Sequence, residues 1–317
     1  MNLLVTGGCG FIGSHFINYY FGKHPVCTLV NIDAMYYCAN EKNVDEHIRT
    51  ANNYVFIQGS VTDADLVKQV LATYAITHVV HFAARSHVDG SFSESLAYTV
   101  DNVLGTHVLL EHFRNYPTLV KFIHVSTDEV YGESLHDEAP KTEANSVLCP
   151  TNPYASTKAA AELIAHSYYR SFGFPVIITR CNNVYGPNQY PEKLIPRFIQ
   201  LLRAGKKCTI QGTGKQTRSF LHVADVVEAF SLILNKGEVG EIYNIASAST
   251  EEHTVMEIAT RLIRLIQSTE DPEAWIEYVP DRPFNDQRYH ISNSKLITLG
   301  WTPRISFTEG LKSLSNS

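Results

Sequence analysis

The first half of the chain alternates short apolar runs with amphipathic stretches. The runs at 2–6, 26–32, 54–58, 78–82, 121–126 and 175–180 are rich in β-branched residues and nearly continuous in apolar character. Strands buried on both faces of a parallel sheet have that pattern. Between them, helical spacing of apolar positions predicts helices over 11–21, 63–74, 96–116 and 152–172. Regular strand–helix alternation predicts an α/β fold, a Rossmann-type doubly wound parallel sheet. After Arg180 the rhythm loosens into a Pro-, Gly- and Asn-rich loop. Helices to about 205, near 223–235 and near 255–266, and strands near 208–211 and 241–245, are expected there. The segment "EYVPDRPFNDQRY" reads as loop. The expected organisation is a first domain over 1–180, rejoined by about 221–245, and a smaller C-terminal α/β substrate domain over 181–317.

Composition narrows the class. The 317 residues are 44% hydrophobic and 18% charged, with a formal net charge of −6, which fits an ordinary globular protein. No basic block or stripe supports nucleic-acid binding. The opening "MNLLVTGGCG" has no basic n-region and reads as a strand and turn rather than a signal peptide. No apolar run has the length to span a bilayer, so no membrane partner is expected. Six scattered cysteines (Cys9, Cys27, Cys38, Cys149, Cys181 and Cys208) lack a Cys-x-x-Cys pair. They are expected to be reduced core thiols of a cytoplasmic protein, without a zinc site.

The first strand runs into "VTGGCGFIG", with Gly7, Gly10 and Gly13 at G-x-x-G-x-x-G spacing before a helix. Such a turn lets backbone approach a pyrophosphate at a helix N-terminus. The second apolar run closes on Asp33, twenty residues after Gly13, where a carboxylate can accept hydrogen bonds from ribose hydroxyls. That charge would repel a 2′-phosphate, so NAD is expected rather than NADP.

"NPYASTKAAAE" sets Tyr154 and Lys158 four apart, on one helix face. An ammonium beside a phenol favours the phenolate, which makes Tyr154 a candidate base during hydride transfer. With the glycine loop upstream, the chain resembles the short-chain dehydrogenase/reductase superfamily, in the extended branch that processes nucleotide sugars.

The fifth apolar run ends in "VSTDEVYG", with Asp128 and Glu129 adjacent. One reading is a helix N-cap with acids near the positive helix end. Another is catalytic. Oxidising a sugar hydroxyl to a ketone acidifies the neighbouring C–H, and β-elimination of water then needs one base and one acid. Mutual repulsion would raise one of the two pKa values. An extended strand points neighbours to opposite faces, so both acids reach one sugar only if the chain turns here.

"VSTDEVYG" and "NPYASTK", with "AARSHVDGS", "RCNNVYGPNQYPEKLIP", "TRSFLHVADVVEAF" and "RPFNDQRY", closely resemble the nucleoside-diphosphate-glucose 4,6-dehydratases over nearly the whole chain. Arg85 and Gly90 stand where bacterial dTDP-glucose members typically have Glu and Arg. "RPFNDQRY" looks more like eukaryotic-type members, which leans the substrate towards UDP-glucose over dTDP-glucose. The resemblance implies catalytic roles for Thr127, Asp128, Glu129, Tyr154 and Lys158. It implies NAD contacts at Gly7, Gly10, Phe11, Ile12, Gly13, Asp33 and Ala34, at Ser60 and Val61, and at Phe82, Ala83 and Ala84. Substrate contacts are implied at Ser86, Thr127, Asn183, Glu192, Lys193, Leu194, Arg218, Asn244 and Arg282. It further implies a homodimer formed through the helices at about 96–116 and 152–172. His81 and His87 are left outside the catalytic set as packed or supporting groups. The competing readings are a nucleotide-sugar 4-epimerase, which would not need Asp128 and Glu129, and a catalytically silent NAD-binding regulatory module.

Overall fold

The computed structural model describes residues 1–134, 138–144, 146–247 and 251–316. Its strands are β1 (Asn2–Thr6), β2 (Thr28–Asp33), β3 (Tyr54–Gln58), β4 (His78–His81), β5 (Lys121–Thr127), β6 (Val176–Cys181), β7 (Asn183–Tyr185), β8 (Cys208–Gln211), β9 (Thr217–His222), β10 (Ile242–Ile245), β11 (Glu252–Thr254) and β12 (Ile276–Val279). Seven of them form a wholly parallel sheet in the order β10-β6-β5-β4-β1-β2-β3. The order reverses between β1 and β4. In such sheets ligands bind at that crevice, beyond the carboxyl ends of the strands.

Both sheet faces are covered, which is why its strands are apolar throughout. Helices Phe11–Lys23 and Val223–Lys236 close one face over Leu3, Val5, Phe16, Ile17, Val226 and Phe230. Helices Ala64–Thr73, Gly105–Phe113 and Pro153–Phe172 close the other over Leu4, Val30, Val79, Leu109, Phe122 and Ala165. A third core, with Phe198, Ile210, Ile258, Leu262 and Phe307, unites helices Leu194–Arg203, Val255–Gln267 and Phe307–Asn316. Two small sheets flank it: β7 lies parallel to β9, β9 antiparallel to β11, and β8 parallel to β12.

Three expectations need correcting. The helix predicted over 96–116 is three segments: Ser95–Tyr98, a π-helical turn at Thr99–Leu104, and Gly105–Phe113. The widened turn carries Asn102, which accepts from Arg85 N–H (2.7 Å) and donates to Arg85 O and Thr157 Oγ1. The loop expected around 277–289 begins inside a strand, because β12 finds a parallel partner in β8 far upstream. Cysteine is not uniformly core: all six are free, but Cys149 is exposed and Cys38 half-buried. Cys149 acts through its backbone, donating to Val130 O (2.9 Å).

That contact braces the turn on which the two acids sit. β5 ends at Thr127 and the chain enters a 3₁₀ turn, Asp128–Tyr131. Gly132 terminates it at φ +75°, and a Cβ there would lie 2.2 Å from Cys149 O. A side chain would meet both a forbidden conformation and backbone. Gly132→Ala is therefore expected to cost about 2–4 kcal/mol, read as a lowered midpoint in denaturant unfolding.

Candidate active site

The glycine loop takes its shape from close backbone approach. Gly7 donates to Ile32 O (2.8 Å). A Cβ on Gly7 would lie 2.7 Å from Ala83 N, and one on Gly13 only 2.2 Å from Gly7 O. Gly10 caps helix Phe11–Lys23 with no side-chain acceptor, so first-turn N–H groups stay available to an anion. Asp33 is buried, with Oδ2 accepting from Cys9 N–H and Oδ1 from Met35 N–H, both at 2.8 Å. Burial pushes its carboxyl up, and these N–H groups oppose the push. The acid thus also braces the glycine loop, a role beyond the ribose contact expected of it.

One cleft of about 300 Å³ gathers most of the predicted positions. Its walls include Gly7, Gly10, Phe11, Ile12, Gly13, Asp33 and Ala34, then Ser60, Val61, Phe82, Ala83, Ala84 and Ser86. Thr127, Asp128, Glu129, Tyr154 and Lys158 share it with Asn183, Glu192 and Lys193. An adjoining cavity of about 190 Å³ has Glu129, Asn183, Glu192 and Lys193 in common with the cleft and adds Leu194, Arg218 and Arg282. Asn244 lines neither. It is fully buried, accepting from the Tyr131 hydroxyl (2.9 Å) and donating to Lys141 O, while its backbone N–H is taken by Glu143. Its expected substrate contact is therefore corrected to a packing role in β10.

The two acids occupy the cleft because the chain turns immediately after the strand. Thr127 Oγ1 accepts from Glu129 N–H (3.3 Å), capping the turn. The N-cap reading and the shared-cleft reading of Asp128 and Glu129 thus coexist. Asp128 is 2% exposed. Its Oδ1 accepts from the Thr127 hydroxyl (3.1 Å) and Oδ2 from Asn182 Nδ2 (2.7 Å). Its carboxyl is raised to about 7, chiefly by burial and secondly by Glu129. Repulsion, the cause expected from the adjacent acids, is the lesser of the two. Glu129 Oε2 accepts from Asn152 Nδ2 (3.0 Å) and, at 3.5 Å, from the Tyr289 hydroxyl.

Tyr154 and Lys158 project from helix Pro153–Phe172, started by Asn152, whose Oδ1 accepts from Ala155 N–H (2.9 Å). The phenol of Tyr154 is raised, first by burial and then by Glu129 and Asp128, with the Thr127 hydroxyl acting oppositely. The expected lowering by Lys158 does not dominate: that ammonium donates to Val125 O (2.5 Å), and burial lowers it to about 8. Burial and two neighbouring acids hold the phenol protonated, and added positive charge in the cleft would favour its phenolate.

The other charged groups are partnered. Lys193 donates to Ser86 O (2.6 Å), and Glu192 accepts from the Tyr37 hydroxyl (2.6 Å). Arg218 and Arg282 both donate to Asn285 Oδ1. Arg85 pairs with Asp101 and Glu94. His81 is enclosed between Thr6 and Thr106 hydroxyls and lowered to about 3 by burial, so it stays neutral; His87 lines the adjoining cavity. Among the described residues, no cluster of three His, Cys, Asp or Glu forms a candidate metal site, and no helix is long and apolar enough to cross a membrane.

Sequence reasoning missed three contacts to the acids: Asn182, Asn152 and Tyr289. Each lies within a stretch quoted above, but only the fold shows which side chains turn to the carboxylates. Tyr289 is held by Asp286, which also accepts from Thr151 Oγ1 (2.8 Å to each oxygen) at the entrance to the Tyr154 helix.

A parallel dinucleotide-type sheet, a glycine loop at its crevice, and a Tyr–Lys helix beside it define the short-chain dehydrogenase/reductase fold. Residues 4–314 match the family model described as GDP-mannose 4,6 dehydratase. The chain belongs to that family. It is 49% identical over 313 residues to a dTDP-D-glucose 4,6-dehydratase of Bos taurus, covering 98% of this chain and 86% of that one. It is 47% identical over 311 residues to a trifunctional UDP-glucose 4,6-dehydratase/UDP-4-keto-6-deoxy-D-glucose 3,5-epimerase/UDP-4-keto-L-rhamnose-reductase of Arabidopsis thaliana, covering 98% of this chain. The chain spans only 46% of that plant protein's length. A crystal structure of a dTDP-glucose 4,6-dehydratase from Streptomyces venezuelae, with NAD bound, matches at a TM-score of 0.92 and 37% identity, covering 100% of this chain and 96% of that one.

The raised carboxyl carries a stability consequence. Asp128 titrates near 7 in the native state against 3.8 as its ordinary value, so the native state binds the extra proton between those values. Stability is expected to fall as pH rises through that window. Asp128→Asn removes the ionisation. Its unfolding free energy should nearly match wild type near pH ~4 and exceed it at pH ~8, by on the order of a few kcal/mol. Thermal unfolding across this range checks it.

Proposed function

We propose that this chain is an NAD-dependent hydro-lyase that converts a nucleoside-diphosphate glucose to its 4-keto-6-deoxy product. The observation that carries the reading is the pair Asp128 and Glu129 on one turn in the cleft, beside Tyr154, with one carboxyl poised near neutrality. The glycine cradle, which Cβ atoms would fill, the uncapped helix N-terminus and Asp33 fit a dinucleotide. Bound NAD supplies the hydride acceptor for C4 and later the hydride donor for C6.

The chain's own groups divide the proton work. Thr127 holds the C4 oxygen and Tyr154 accepts its proton as the ketone forms. Tyr154 can do so only as the phenolate, which the ammonium of Lys158, one turn along the same helix, favours before the transfer. Glu129 removes the C5 proton, made acidic by the adjacent ketone. Asp128, protonated around neutral pH, gives its proton to the C6 hydroxyl, which leaves as water. Arg218, Arg282 and Lys193 offer the diphosphate its cationic partners. Separate incubations with UDP-glucose and dTDP-glucose test the activity and its nucleotide preference together. A 4-keto-6-deoxy sugar supports the reading; a UDP-galactose product from UDP-glucose overturns it in favour of epimerisation.

The acids should act at separable steps. Asp128→Asn is expected to slow elimination about 10²-fold or more while C4 oxidation persists, seen as accumulation of reduced nicotinamide. Glu129→Gln should abolish deuterium uptake from solvent at C5.

The partner reading is a homodimer. Leu96, Val100 and Leu104 on the segment 95–104, and Leu163 and Phe172 on helix Pro153–Phe172, are apolar and exposed, Leu96 at 81% and Leu163 at 62%. Exposed apolar side chains on neighbouring helices suit a partner surface. Leu163→Asp is expected to halve the mass measured by light scattering, and an unchanged dimer would place the contact elsewhere.

A further inference from the structure

Asn182 lies between β6 and β7, 4% exposed, and its backbone N–H donates to Ile245 O (3.0 Å). Its side chain cannot turn round. The Oδ1 atom accepts from Ser247 N–H (3.1 Å), a group that can only donate, so the amide nitrogen must be the end facing Asp128. That nitrogen lies 2.7 Å from Asp128 Oδ2. That amide nitrogen can only donate, so Oδ2 serves as the carbonyl oxygen of the protonated carboxyl; the Thr127 hydroxyl at Oδ1 can rotate to accept instead, so the acid proton belongs on Oδ1.

We propose that Asn182 is a positioning residue that fixes Oδ2 of Asp128 as the carbonyl oxygen and confines the transferable proton to Oδ1, beside Thr127. The catalytic use of that proton rests on the dehydratase reading given above. Five other groups face this carboxyl. Thr127 and Glu129 flank it in the chain, Tyr154 approaches from its helix, Cys181 from β6 and Arg218 from β9. The Asn182 amide and the Thr127 hydroxyl favour the ionised form, Arg218 assists them, and burial and Glu129 oppose. Asn182 therefore sets two properties of the acid: which oxygen carries the proton, and how far its affinity rises.

The test does not need turnover. Infrared difference spectra of wild type across pH, with Asp128→Asn identifying the band, give the C=O stretch and titration midpoint of Asp128. In Asn182→Ala the stretch should move to higher frequency, because Oδ2 has lost its donor. The midpoint should rise by on the order of one pH unit, tenfold in the dissociation constant. Asn182→Asp keeps an acceptor for Ser247 N–H and should raise the midpoint further, which serves if the alanine variant fails to fold. An unshifted stretch and midpoint in either folded variant overturns the proposal. In turnover, Asn182→Ala should lower kcat about 10–100-fold with KM within about twofold, and the alkaline limb of its pH profile should move upward. A wild type that shows the Asp128 titration yet dehydrates neither nucleotide sugar would support the proton assignment and overturn the dehydratase reading.

Discussion

Burying a carboxyl group is costly unless it is neutral or fully hydrogen-bonded, and the cleft is organised around one that sits between these states. Asp128 is nearly inaccessible, has a donor on each oxygen, and lies beside a second acid. Any weaker support would leave an uncompensated buried charge; stronger donors would hold it ionised and unable to act as an acid. Its supports come from far apart in the chain: Thr127 from the end of β5 and Asn182 from the segment after β6. Asn182 is anchored in turn by Ile245 and Ser247 at the end of β10. The seventh strand of the sheet thus bears directly on the acid.

Glu129 is served by a parallel arrangement with a different origin. The asparagine that starts the Tyr154 helix spends its oxygen on the helix and its nitrogen on Glu129. Tyr289 reaches the same oxygen from the C-terminal part of the chain, braced by Asp286. Helix initiation, the placement of Tyr154 and the orientation of Glu129 are one local construction, tied at Thr151 to a segment more than a hundred residues away.

Much of this was legible in the chain and some was not, for reasons of range. The sheet strands announce themselves because burial on both faces demands continuous apolar runs. The glycine loop shows because close backbone approach admits no Cβ at Gly7 or Gly13. The turn at Asp128 was foreseeable as a requirement, since two adjacent acids cannot share a cleft from an extended strand. β12 was hidden because its pairing with β8 spans about seventy residues and its neighbours Pro280, Asp281 and Pro283 signal loop. Asn244 was carried over by resemblance, yet its register in β10 turns it into the core. Asn182 could not be told from Asn183, because facing the acid or the cavity depends on backbone path, not composition.

Asp33 shows how one side chain can make a preference hard to revise. Both of its oxygens are already engaged by backbone N–H groups, of Cys9 in the glycine loop and of Met35 just beyond β2. A lineage drifting towards a phosphorylated dinucleotide would have to give up this acid, and with it the brace of the glycine loop. The two losses cannot be taken one at a time. Compensation within the loop would have to come first, so the choice of cofactor is entrenched by architecture as well as by charge.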